Sequence, residues 1–323
     1  MAVLVTGADT LLGSQVAKGL LDSGFTVRIL VTRGTTPRVS GVPVETCSSL
    51  ALDLESCLSA LADATAVFHF DSERMFARPG DEKEARAHIE GTRNLLVAMT
   101  RAGVEDMVYS SSALSFEPGT MDEPGDESLR MSRAGPACLA SMRATEDLLQ
   151  RYGDDGRLRY MTVHPTVMMG EGAEPGDTCW WLMQQAAAGL LSGRSGGINI
   201  ARASDAAAAV VKALGRGKPC ESFILGGENI SLHDLGESIA LALAPLGDRV
   251  SQAAEPAGRR RSRRARSRDD RPEEPLAAQL AGLGLYYTPA LAAERFDLQT
   301  AATAEVVRES VEWYAGEGAA PVD

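Results

Sequence analysis

At 323 residues and 44% hydrophobic content, the chain has enough apolar material for one large α/β domain with a smaller unit appended. Its formal net charge of -12 excludes a general nucleic-acid binder, whose phosphate contacts need a basic face. Five cysteines without a CxxC pair and four scattered histidines argue against a disulfide framework or a metal site and for a reducing cytoplasm, and no apolar run reaches the ~18 residues a bilayer crossing needs. Neither nucleic acid nor membrane is therefore an expected partner.

Ala2-Val3-Leu4-Val5 reads as a core strand rather than a leader peptide, and Thr6-Gly7 ends it. Helical spacing follows through Leu11, Leu12, Val16 and Leu20, and Thr26–Val31 is a second strand. Strand, helix, strand in about 30 residues is a βαβ unit, and continuous apolar strands suit a parallel sheet covered on both faces. The alternation continues with a strand at Ala66–Phe70, a helix at Glu82–Arg101 and a strand at Met107–Ser110. A helix at about Pro136–Tyr152 and a strand at Arg159–His164 complete the series. The predicted fold is α/β, a Rossmann-type doubly wound parallel sheet with a smaller C-terminal substrate domain.

Beyond about residue 170 the pattern loosens. Trp180–Leu191 and Asp205–Leu214 read as helices, Ser222–Leu225 as a strand, and Ser231 as the N-cap of a helix from Leu232. The expected division is a nucleotide-binding domain over 1–170, rejoined by segments at about 195–230, and a mainly substrate-binding region over 171–323. Gly258–Arg268 carries seven arginines in eleven residues, followed by Asp269, Asp270, Glu273 and Glu274. It reads as a solvated loop with its cations balanced by adjacent acids, or alternatively as a polyanion patch.

Thr6-Gly7-Ala8-Asp9-Thr10-Leu11-Leu12-Gly13 joins the first strand to the first helix. Gly7 permits a tight turn, Gly13 lets helix and strand pack closely, and the helix N-terminus offers N–H groups to a pyrophosphate. Thr10 replaces the middle glycine of the TGxxGxxG form; its Cβ crowds a phosphate, while its hydroxyl could donate to one. Arg33, after the second strand, stands where an acidic residue would hold a ribose 2′-hydroxyl. It suits a 2′-phosphate and favours NADP over NAD, unless it is an ordinary surface arginine.

These segments, in this order, resemble the extended short-chain dehydrogenase/reductases, the NAD-dependent epimerase/dehydratase group, over about residues 2–240. Leu52-Asp53-Leu54 resembles the family's adenine-contacting segment, and Val67-Phe68-His69-Phe70 its fourth strand. Glu90-Gly91-Thr92-Arg93-Asn94-Leu95-Leu96 resembles its fourth-helix motif, and Val108–Ala113 the strand bearing its catalytic serine, here Ser112. The resemblance implies NADP or NAD as cofactor, with Gly7, Thr10, Leu12, Gly13, Arg33, Asp53, Leu54, Phe70, Ser110 and Pro165 as contacts. It implies a small-molecule substrate. It also implies a homodimer through the family's fourth and fifth helices, here about Glu82–Arg101 and Pro136–Tyr152.

The chain departs from the family at the acid/base pair. No tyrosine is followed by a lysine four residues on. Alignment through Ser141 and Glu146 puts Cys138 at the tyrosine position and Met142 at the lysine position. His88 replaces a common asparagine, His164 a common arginine, and Asp71-Ser72 two small residues. The expected function is a divergent reductase or epimerase, with bacterial secondary metabolism as a candidate setting. Ser112 would orient the substrate, and Asp71, Cys138 and His164 are the acid/base candidates. The alternatives are a non-redox cyclase, dehydratase or isomerase, and a catalytically silent NAD(P)-binding regulator, or a protein that holds no cofactor.

Overall fold

The computed structural model describes residues 2–47, 51–70, 81–132, 135–214, 220–246 and 274–317. The arginine-rich segment 258–268 and Asp71 lie outside them. Strands β1 (Ala2–Thr6), β2 (Thr26–Val31), β3 (Val44–Thr46), β4 (Ala64–His69), β5 (Asp106–Ser110), β6 (Arg159–Pro165) and β9 (Ser222–Leu225) form one sheet. Their order is β3-β2-β1-β4-β5-β6-β9, and every neighbouring pair is parallel. The doubly wound parallel sheet read from the alternation is thus present.

Successive residues of β1 face opposite layers, as the period of a strand requires. Val3 and Val5 pack with α1 (Leu11–Asp22) and α6 (Ala203–Ala213) in one core. Leu4 joins Leu30, Val67 and Met107 in the other, beneath α2 (Leu54–Ala60), α3 (Glu82–Ala102) and α4 (Ala137–Asp154). Fully burying one such aliphatic side chain contributes about 1.5–3 kcal/mol, so a strand apolar on both faces is held from both sides.

Local signals set the ends of these helices. Asp81 caps α3 by accepting from the backbone N–H groups of Lys83 and Glu84, and Gly103 closes it in the left-handed region at φ 71°. The Asn94 side chain of α3 donates to Leu52 O at 2.9 Å, which ties the fourth-helix motif to the Leu52 segment.

The less regular second half adds a three-stranded sheet in the order β10-β8-β7, from β7 (Val167–Met169), β8 (Gly197–Arg202) and β10 (Glu228–Ser231). Helices α5 (Thr178–Ala187), α7 (Leu232–Leu243), α8 (Leu276–Leu280), α9 (Ala290–Phe296) and α10 (Thr303–Glu317) complete the described elements. Ser231 caps α7 as expected, accepting from Asp234 N. The strands β3, β7, β8 and β10 and the helices α2, α8, α9 and α10 are not among the elements read from sequence. No described helix is long and apolar enough to cross a membrane.

Candidate functional site

A cavity of about 460 Å³ lies over the carboxyl ends of β1, β2, β5 and β6, the edge where open α/β sheets bind ligands. At one end it is lined by Asp9, Thr10 and Leu11, by Arg33, Gly34, Thr35 and Arg38, and by Glu84 of α3.

The glycine-containing turn is tight. Gly7 has φ 73°, and a Cβ at Gly13 would sit 2.1 Å from Gly7 O. Position 13 therefore accepts no side chain, and the first turn of α1 presses against the end of β1. The Thr10 hydroxyl donates to Gly7 O at 2.7 Å and accepts from Gly13 N at 3.1 Å. That hydroxyl is thus engaged within the turn, where it caps α1.

The two arginines at this end differ. Arg33 is exposed and lines the cavity with no ion pair among the described residues. Arg38 is clamped: its guanidinium makes a two-pronged pair with Asp177 at 2.6 and 3.0 Å and donates to Gly172 O at 2.9 Å. Its backbone N–H donates to Ala8 O at 2.9 Å. Arg38 thus ties the glycine turn to the segment after β7, which Gln15 holds through Glu171 O and Trp313 through Ala173 O.

At the other end, the cavity is lined by Ser112–Leu114, Pro165–Met168, Asn199, Leu285 and Tyr287. Ser112 caps a short 3-10 turn, Ala113–Ser115, and accepts from Leu114 N at 3.2 Å. Behind it, Glu146 of α4 accepts from Ser111 and from Ser115 at 2.8 Å, and pairs with Arg130 at 2.6 Å. This polar cluster anchors the loop that carries Ser112.

Several expected site residues do not line the cavity. His164 is fully buried on β6, with Nδ1 3.0 Å from Ser112 O and its ring 4.6 Å from that of Phe116. Burial pushes its pKa down to about 4, which keeps the imidazole neutral beside the Ser112 loop that it supports. Cys138 and Met142 are both 1% exposed, belong to the apolar core and are not among the residues that line the cavity. Asp53 caps α2, accepting from Ser56 N at 2.8 Å and from Ser56 Oγ at 3.0 Å, and Leu54 opens that helix. Leu12, Phe70 and Ser110 are buried, and Pro165 lines the cavity. His88 is buried beside Tyr109, 3.1 Å from its hydroxyl.

The sequence reading missed Asn199, Thr166 and Tyr287. Asn199 Oδ1 accepts from Thr166 Oγ1 and Gly227 N, and its amide nitrogen donates to Tyr287 O at 3.0 Å. An asparagine between Ile198 and Ile200 in an apolar strand was the available signal, since a buried amide must be hydrogen-bonded. Among the described residues no cluster of His, Cys, Asp and Glu is placed to hold a metal ion.

The model of the NAD dependent epimerase/dehydratase family matches residues 3–226. The chain belongs to this family. Among its relatives is the dihydroflavonol 4-reductase of Hordeum vulgare, 28% identical over 52% of this chain and 53% of that enzyme. The chain therefore spans about half the length of this relative. The crystal structure of gox2253 superposes with a TM-score of 0.77 at 25% identity, covering 98% of both chains. The fold is shared also with the UDP-glucose 4-epimerase of Thermus thermophilus, solved as a complex with NAD: TM-score 0.71, 22% identity, 98% of this chain and 99% of that one.

Proposed function

We propose that the chain binds NAD(P) along the carboxyl edge of its parallel sheet and acts as a reductase or epimerase on a small, largely apolar molecule. One observation carries this reading: a single cavity joins the Thr10–Leu11 turn and Arg33 to Ser112 and Pro165. The residues present fit the cofactor. Gly7 and Gly13 bring the α1 N-terminus to the cavity, where its N–H groups suit a pyrophosphate. Arg33 offers an exposed cation for a 2′-phosphate, which favours NADP.

When bound, NAD(P) supplies hydride exchange. The chain's own residues do the rest. Ser112, fixed as a cap with His164 and Glu146 behind it, orients the substrate oxygen. Leu114, Val167, Met168 and Leu285 give that end apolar walls that exclude water and favour an apolar substrate. The family membership and the NAD complex of the Thermus enzyme support the cofactor assignment.

A second reading, NAD(P) binding without hydride chemistry, is favoured by one observation. Cys138 and Met142 are core residues, and the cavity lining among the described residues contains no lysine. NADPH oxidation followed at 340 nm against a panel of apolar ketones and aldehydes separates the two. Substrate-dependent oxidation supports the first reading as a reductase, interconversion of epimeric alcohols without net oxidation supports it as an epimerase, and cofactor binding with neither supports the second.

A further inference from the structure

Two of the residues that line the cavity beside β5 and β6, Ser112 and Tyr287, carry hydroxyl groups with long internal hydrogen bonds. Ser112 Oγ accepts from Leu114 N at 3.2 Å and gives its proton to no acceptor among the described residues. The Tyr287 hydroxyl donates to Phe116 O at 3.3 Å, well beyond the usual ~2.7–2.8 Å of an O–H···O bond. The other polar side chains there are committed. Thr166 donates to Asn199 at 2.9 Å, and the Asn199 amide nitrogen is shared among Gly227 O, Asn229 Oδ1 and Tyr287 O.

The backbone of Tyr287 is held rigidly while its hydroxyl is not. Tyr287 O accepts from Asn199 at 3.0 Å and from Asn229 at 3.1 Å, and Tyr287 N donates to Asn229 Oδ1 at 3.1 Å. Phe116, whose carbonyl holds the phenol, directly follows the 3-10 turn that Ser112 caps. Ser112 and Tyr287 therefore line one cavity from segments far apart in the chain, among the apolar Leu114, Val167, Met168 and Leu285.

We propose that Tyr287 is a substrate-binding residue: its phenol O–H leaves the long bond to Phe116 and donates to the carbonyl or hydroxyl oxygen of an apolar molecule held beside Ser112. This rests on the proposed function only in placing the substrate's oxygen at this end of the cavity. Burial, with the charge of Glu117 as a smaller cause, raises the phenol's pKa above its ordinary value. Tyr287 thus remains a neutral donor throughout the physiological range.

The test is equilibrium binding of two probes of one shape to the full chain, acetophenone and α-methylstyrene, in which a CH₂ replaces the carbonyl oxygen. Acetophenone is expected to bind about 10-fold more tightly, the worth of one hydrogen bond. In Tyr287→Phe, which keeps the ring, the preference falls to about 2-fold while α-methylstyrene binding is unchanged. A second measurement needs no variant: across para-substituted acetophenones the affinity rises with the basicity of the carbonyl oxygen, methoxy above hydrogen above nitro. An undiminished preference in Tyr287→Phe, a flat or inverted para-series, or no binding of either probe overturns the proposal. NADPH titration of the same samples separates the claims. Lost cofactor binding with the ketone preference intact defeats the proposed function alone; intact cofactor binding without the preference defeats the role of Tyr287 alone.

Discussion

Compare the two ends of the cavity. The end at β1 and β2 is built around residues 9–38, with Glu84 and the segment at Asp177 beside them, and turn chemistry shapes it: a left-handed Gly7, a capping Thr10 and a Gly13 with no room for a Cβ. The end at β5 and β6 collects Ser112, Pro165–Met168, Asn199, Leu285 and Tyr287 from segments far apart in the chain. The first end depends mainly on one short turn. The second depends on long-range packing, so a change in the C-terminal segment can reshape it while the nucleotide turn stays the same. This fits a family whose named members include both reductases and epimerases.

Substitutions that strike one end and spare the other sharpen this comparison. The largest effect is expected at Gly13→Ala, where the new Cβ meets backbone 2.1 Å away. The turn must open, at a cost of roughly 3 kcal/mol or more in stability, with cofactor affinity falling at least about 100-fold. Thermal melting and calorimetry check both, and a variant melting like the unaltered chain would break the account of the turn.

At the other end, His164 takes up a proton only near pH 4 in the fold, against 6.5 for an unperturbed histidine. Between those values the unfolded chain binds more protons, so stability is full above pH 6.5 and is lost as pH falls toward 4. The loss is on the order of 3 kcal/mol. In His164→Asn, urea melts across that range should show a flatter acid limb, with the nucleotide end unaffected.

Arg38→Gln removes the pair with Asp177 that joins the glycine turn to the segment after β7. The two side chains are 12% and 20% exposed, so the cost lies between that of a surface pair and a buried one, about 2 kcal/mol. Denaturant midpoints measure it. The mildest test is chemical: of the five cysteines only Cys220 is exposed, so one thiol should react rapidly with a disulfide reagent in the native protein. Rapid labelling of Cys138 would place it in the cavity and not in the core.

The same contrast explains what could be read in advance. The apolar strands alternating with helices and the TGxxxxxG turn are local patterns, and they show the doubly wound sheet in the sequence; Ser112 is singled out by the family resemblance alone. The strands β3 and β7 span three residues each, too short for a periodicity to develop. Alignment places Cys138, Met142 and His164 along a helix or strand but does not give the packing that buries them; the short side chain of Cys138 and the uncharged Met142 already favour a structural role for that pair. Tyr287 carried no local signal, since its place depends on Asn199 and Asn229, distant in sequence. The commitment of the Thr10 hydroxyl to Gly7 O was likewise a matter of rotamer and not of residue type.

The central claim is that the first end of the cavity is a dinucleotide site with Arg33 as its phosphate-reading cation. Its most direct test is calorimetric titration of the unaltered chain and of Arg33→Ala with NADPH and NADH. The expected result is micromolar binding of NADPH, weakened about 10-fold in Arg33→Ala, with NADH affinity unchanged by the substitution. Absence of binding by either nucleotide at millimolar concentration would contradict it.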